Sequence, residues 1–193
     1  MFYFEMIDKL INTKNIRLQE NSTTCGLASL RNSLLLSYGL NLSESVLLEK
    51  AQEIYSRYKK KDLILRDGIG PWGISRLIKE NLADIVGISL NVFMTTHGTI
   101  EQLEKIIQIG TYPLIHRTFH EDKEGHYELI LGTDQNNVHL HNSARYVNTS
   151  GVHTKSRKEF NDKWWDFNGE RWFLAHYPAN IILPRKQFLG RYM

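Results

Sequence analysis

Apolar positions recur at helical spacing through the first half of the chain, and after Gly110 they give way to short runs rich in β-branched and aromatic residues. Leu27, Leu30, Leu34 and Leu35 follow the polar run Asn21 to Thr24 and end at Gly39, which predicts a first helix closed by a glycine. Ser43 and Glu44 open a second, with its apolar stripe at Leu47, Leu48, Ala51, Ile54, Tyr55 and Tyr58. After the loop LRDGIGPWG, Pro71 suits the first turn of a third helix carrying Ile74, Leu77 and Ile78. A strand is expected over Asp84 to Val92. Thr99 and Gln102 then stand at capping-box spacing ahead of Leu103, Ile106 and Ile107. Beyond Gly110, YPLIHRTF, HYELILGT and VHLHN are separated by HEDKEG and DQNN and read as an antiparallel meander. Ser156 and Glu159 cap a short helix through Trp164, FNGE turns, and RWFLAHY returns as a strand. Helices first and an antiparallel sheet afterwards give an α+β fold.

Composition narrows the class. At 193 residues, with no repeat, low-complexity segment or linker, residues 1–193 are expected to form a single domain. Hydrophobic residues at 41% and charged residues at 23% fit a folded, water-exposed domain. The net charge is only +3, and the one basic cluster, Lys59 to Lys61, falls at an expected helix end, so a nucleic-acid partner is not indicated. One cysteine excludes an internal disulfide, the N-terminus lacks signal-peptide organisation, and no apolar run reaches the roughly 20 residues of a membrane span. A reducing cytoplasm and no membrane partner are the expectation.

The single cysteine, Cys25, stands where a loop becomes the first helix. A helix start stabilises a thiolate through unpaired N–H groups and the macrodipole, with Thr23 or Thr24 as the N-cap. On that ground Cys25 is expected to alkylate readily at pH 6. A thiol nucleophile needs a histidine to exchange protons with, and that histidine needs a third group to fix its tautomer. His126 opens the strand HYELILGT and Asn142 ends VHLHN. If Thr133 to Asn137 form the connecting loop, His126 pairs with Ala144 and Asn142 becomes its same-face diagonal neighbour, with Cα atoms roughly 7–8 Å apart. A loop of even length would put the two on opposite faces. Gln19, six residues before Cys25, offers an amide as a second oxyanion donor beside the Cys25 N–H.

Gln19, five residues, Cys25-Gly26 and a following helix, then GHYELILGTD and HNSA, resemble the papain-like cysteine peptidases, and within them the bacteriocin-processing branch that cuts after double-glycine leaders. The likeness runs from Arg17 to about Pro178, taking in TYPLIHRTF and FNDKWWDFNGERWFLAHYP. It implies a papain-like fold with N-terminal helices on a C-terminal antiparallel sheet. It also implies Cys25 as nucleophile, His126 as base, Asn142 as orienting group and Gln19 as oxyanion donor, acting on a peptide or acyl substrate with no cofactor. Thr24 stands where an acidic residue is common in that branch, and Asn142-Ser143 replaces its Asp-Pro pair. No ABC-transporter portion follows within these residues, so an exported substrate is not implied.

Other chemistries share these residues. An amine in place of water would make the site an acyltransferase or peptide ligase, resembling aminoglycoside-pathway acyltransferases and phytochelatin synthases. A binding protein could retain the scaffold without catalysis. A metal site could draw on His116, His120, His139 and His141, although matching carboxylates are lacking. His97 and His153 are expected in loops and His176 in packing. Trp164, Trp165 and Trp172 are expected to anchor the last helix to the sheet, and Asp67, Gly68 and Gly70 to form either a rim loop facing the cleft or a plain turn.

Overall fold

The computed structural model describes residues 16–58, 68–82, 85, 87–118, 125–144, 151–165 and 169–183, with the backbone of 191–192. Lys59 to Lys61, Asp67, His120 and part of FNGE lie outside the described residues. Helices α1 (Cys25–Tyr38), α2 (Glu44–Arg57) and α3 (Pro71–Leu77) come first, α3 running on into a π-helical turn at Ile78–Leu82. Then follow β1 (Leu90–Thr95), α4 (Ile100–Gln108), β2 (Leu114–Thr118), β3 (Gly125–Thr133), β4 (Asn137–Asn142), β5 (Val152–Ser156), α5 (Arg157–Lys163), β6 (Trp172–Pro178) and β7 (Arg191–Tyr192). The seven strands form one sheet in the order β5-β4-β3-β2-β6-β1-β7, with every paired neighbour antiparallel.

The local signals act as their chemistry requires. Gly39 adopts a left-handed conformation and its N–H caps α1 on Leu35 O. Ser43 accepts from Val46 N, and Thr99 and Gln102 close a reciprocal capping box. Ser156 accepts from Glu159 N at the start of α5. The first expected strand is displaced: it starts at Leu90 rather than Asp84 and runs through Thr95, where pairing with β6 supplies its hydrogen bonds.

The sheet is covered on both faces. Leu114, Leu129, Leu131, Leu174 and Val92 pack with α1, α2 and α3, whereas Ile115, Ile130, Phe173, Ala175 and Phe93 pack with α4 and α5. Double coverage explains why these strands read as unbroken apolar runs rather than alternating ones. Trp164 and Trp172 are buried, but Trp165 is exposed with the Arg171 guanidinium over its ring, so only two of the three anchor the core.

His153 is not in a loop. It lies on β5, a strand hidden from sequence reading because its side chains are exposed or only half-buried and carry no apolar alternation.

Candidate functional site

Helix α1 meets the sheet at the backbone of Tyr127. Ile130 N–H bonds Pro113 O on the β2 side, so Tyr127, an odd number of residues away, turns its N–H and C=O toward β4. Strand β4 ends at Asn142, leaving those two groups without a strand partner, and α1 takes their place. Ser29 Oγ donates to Tyr127 O at 3.3 Å, and Cys25, one helical turn earlier, brings its sulfur beside the Tyr127 backbone. Gly26 lets the helix come this close, because a Cβ there would lie 2.9 Å from Ile69 and 3.1 Å from the Tyr127 ring.

The start of α1 has no side-chain cap. Thr24 occupies the N-cap position, but its hydroxyl bonds the Glu44 carboxylate and Asn21 O instead of the first turn. The backbone amides of Tyr127, Gly26 and Cys25 itself lie close enough to the sulfur to favour its anion. These three donors favour the thiolate, yet burial is the larger effect and pushes the thiol up, with the negative charge of Glu44 adding to it. The expectation of ready alkylation at pH 6 therefore reverses. Because a raised pKa lowers the thiolate fraction at any pH below it, iodoacetamide labelling is expected to be slow at pH 6 and to climb only above the ordinary thiol range of about 8.5. A fast rate that is level from pH 6 upward would show a preformed ion pair instead.

His126 and Asn142 are brought together, by a route the sequence does not announce. Glu128 faces Asn142 and Ile130 faces Leu140, the register that a five-residue loop would give. The turn is shorter, with Thr133 already paired to Val138, an even spacing that would by itself put His126 and Asn142 on opposite faces. A β-bulge between Ile130 and Gly132 inserts one extra residue in β3 and restores the parity.

His126 Nε2 lies 2.7 Å from Asn142 Oδ1, and both residues are buried. The same oxygen accepts from Ala144 N–H at 2.8 Å. A backbone N–H can only donate, so the Asn142 atom it meets is the oxygen, and the ring nitrogen facing that oxygen carries the hydrogen. In the neutral ring the lone pair then sits on Nδ1. Burial holds the His126 imidazole below its ordinary value, opposed by the charge of Glu128 and the Asn142 bond, so the ring is neutral at pH 7. Asn142 is seated in turn by Gly151, whose carbonyl accepts Asn142 N–H at 2.7 Å. Gly151 has a φ of 69°, and a Cβ there would lie 2.3 Å from Asn142 O.

Gln19 is buried beside this group but directs its amide hydrogens to Asn21 O at 2.9 Å and Ser22 O at 3.1 Å. Its backbone N–H bonds Ser143 O, and Ser143 Oγ donates to its Oε1, so Gln19 ties the loop before Cys25 to the residue after Asn142.

The metal-ligand reading finds no convergence. His139 bonds Thr154 Oγ1 and Asp134 Oδ2, each at 3.0 Å; His141 Nδ1 is 3.4 Å from Asn32 Nδ2; and the His116 ring packs on Tyr127 and Trp172. Among the described residues no group of three or more His, Cys, Asp or Glu is arranged to hold a metal ion. Asp134 caps the β3–β4 turn, its Oδ1 accepting from Asn136 N–H and Asn137 N–H at 2.8 Å each.

Two buried charge groups escaped sequence reading. Arg117 and Glu128 form a bidentate pair on the His126 face of the sheet, and Arg31 bonds Glu44 beneath the loop that carries Gln19. A charge inside an otherwise apolar run, such as Glu128 in HYELILGT, is the one signal that could have flagged the first.

Neither family models nor curated protein sequences return a match to this chain. Solved structures do. The peptidase domain of Streptococcus ComA, a bifunctional ABC transporter involved in a quorum-sensing pathway, superposes with a TM-score of 0.57 at 21% identity, covering 86% of this chain and 97% of that one. A protein of Bacillus anthracis described as a C39-like peptidase gives 0.59 at 16% identity, covering 87% and 96%. The fold is that of C39-like peptidase domains. The α+β architecture and the papain-like layering expected from the sequence are therefore those observed. No helix among the described residues is long and apolar enough to cross a membrane.

Proposed function

We propose that this chain, taken as one domain over residues 1–193, is a papain-like cysteine peptidase acting through Cys25, His126, Asn142 and Gln19 on a peptide or peptide-like substrate in a reducing, cytoplasmic setting. The observation that carries the reading is the shared Asn142 oxygen. By accepting from Ala144 N–H and from His126 Nε2–H, it fixes one tautomer of the neutral ring and leaves the lone pair on Nδ1, which supports a role for His126 as a base.

In the proposed reaction His126 Nδ1 takes the Cys25 thiol proton as sulfur attacks the carbonyl carbon. The resulting oxyanion accepts from Cys25 N–H and from Gln19 Nε2, which exchanges one loop carbonyl for it. His126 then protonates the leaving amine, the C–N bond breaks, and a thioester remains on Cys25. Water, deprotonated by His126, attacks that thioester and releases the acid and the free thiol. A resting pair of neutral thiol and neutral imidazole agrees with the direction in which burial shifts each group.

Trapping tests the reading. Incubation with a peptide library is expected to leave an acyl mass on Cys25, which discharges as the free acid in water. An acyl-enzyme that persists in water and is released only by a particular amine would make the protein an acyltransferase, and no acylation by any donor would leave a binding protein.

Gln19→Ala is expected to raise the acylation barrier by roughly 2.7–4 kcal/mol, the usual cost of losing one oxyanion donor. If Gln19 only braces its loop, the variant would melt earlier yet turn over normally at a permissive temperature. Asn142→Ala is expected to slow acylation with the fold intact, and Asn142→Asp to be tolerated because a carboxylate oxygen can accept the same two hydrogen bonds. Wild-type rates in both would mean that Asn142 does not orient His126.

A further inference from the structure

Glu128 is a carboxylate with no exposed surface in the middle of a sheet whose neighbouring side chains, Tyr127, Leu129, Ile130 and Leu131, are apolar and buried. Burial pushes its carboxyl up, but the Arg117 hydrogen bonds and charge outweigh that and hold it below the usual carboxylate range, so it is ionised. A buried ion pair contributes little to stability compared with a well-packed apolar pair, and its retention is better sought in function. Its neighbours suggest which. Glu128 is two residues from His126 on the same face of β3, directly across from Asn142 on β4, while Arg117 on β2 stands directly across from His126. The four residues form one block, and His153 on β5 closes it, with Nε2 3.5 Å from Glu128 Oε1. Lys155 of β5 and Lys163 of α5 line the crevice beside the pair.

Resting on the reading of His126 as the base, we propose that Glu128 is a positioning residue for that histidine: its buried carboxylate, clamped by Arg117, supplies the negative charge that the neutral Asn142 does not. In the branch the sequence resembles, an aspartate stands at the orienting position and would provide this charge directly. Here the orienting group is an amide, which holds the tautomer but cannot neutralise an imidazolium. The imidazolium must form while negative charge moves from the Cys25 sulfur to the substrate oxygen. A buried carboxylate two residues along the strand, with Cα positions roughly 7 Å apart, stabilises that cation without competing for its hydrogen bonds. The ordering of effects on His126 agrees: after burial, the charge of Glu128 is the largest contributor and raises its pKa, ahead of the opposing charges of Arg117 and His153.

The test is a pH titration of the His126 ring by NMR in histidine-labelled protein, assigned with His126→Gln. It needs no substrate, so its outcome is independent of whether Cys25 is acylated. Glu128→Gln is expected to lower the titration midpoint by about one pH unit or more, Glu128→Asp to hold it near wild type, and Glu128→Gln/Asn142→Asp to bring it back up. If loss of the carboxylate beside Arg117 keeps Glu128→Gln from folding, Arg117→Met/Glu128→Gln removes both charges together and is expected to lower the midpoint by a smaller amount. A midpoint that is unchanged or raised in Glu128→Gln, or in Arg117→Met/Glu128→Gln where only that variant folds, or no recovery with Asn142→Asp, would overturn the proposal, because a purely structural role for Glu128 would not be repaired by a charge placed on β4.

Discussion

Cys25→Ala and His126→Ala are each expected to lower turnover of any substrate found by on the order of 10⁶-fold, and the double variant to be no worse than either single one. The non-additivity follows from the proposed mechanism. Cys25 Sγ can attack only if a base removes its proton, and the base has no task if the sulfur is absent, so either deletion removes the same step. The fold is expected to survive both changes. Cys25→Ala removes one small, partly buried side chain at the helix start, and His126→Ala leaves Asn142 Oδ1 still satisfied by Ala144 N–H. Chelators are expected to have no effect on the wild type. Activity lost to a chelator and restored by zinc would refute the thiol mechanism. Retained activity in either alanine variant, with the melting temperature unchanged, would do the same.

Much of this site could be read from the chain before any coordinates, and the parts that could not have identifiable causes. Helix starts at Ser43, Pro71, Thr99 and Ser156 are local chemistry, a hydroxyl or a ring acting within four residues, and the structure uses all four. Thr24 looks like a further cap, yet its hydroxyl is taken by Glu44, a residue twenty positions away, and no local rule anticipates that. The pairing of His126 with Asn142 was legible as chemistry but not as geometry. Sequence gives the strand ends, whereas the face depends on parity, and here the parity is set by a bulge at Leu131 inside an unbroken apolar run. The direction of the Cys25 shift was also out of reach. A helix start suggests a lowered thiol pKa, but the burial that outweighs it comes from packing against β3.

The largest expected change in stability concerns the other buried ion pair. Arg31 and Glu44 are both nearly inaccessible, and together they hold the loop that leads into Cys25. Arg31 donates to Glu44 at 3.3 Å and to the carbonyls of Arg17 and Leu18 at 3.0 and 3.1 Å, while both Glu44 oxygens accept from Glu20 N–H and one also from Thr24. Residues 17, 18, 20 and 24 are thus pinned on either side of Gln19 by charges rooted in α1 and α2. Removing Arg31 leaves Glu44 buried without a cation, and removing Glu44 leaves Arg31 only the half-exposed Glu20 carboxylate at 3.3 Å, so Arg31→Met is expected to cost about 3–5 kcal/mol and Glu44→Leu toward the lower end of that range. For a chain of this length that corresponds to a fall in melting temperature of about 6–20 °C. The double variant buries no lone charge and is expected to cost less than the sum of the singles by about 0.5–3 kcal/mol. Function should not recover with it. Methionine and leucine fill the volume but offer no donor to Arg17 O and Leu18 O and no acceptor to Glu20 N–H, so the loop presenting Gln19 loses its anchors and acylation stays slow even under conditions where the double variant is fully folded. Denaturant unfolding of the four proteins, alongside their acylation rates, decides the matter: strictly additive stabilities would mean that the two charges do not act as a pair, and full activity in the double variant would mean that the Gln19 loop is held by something else.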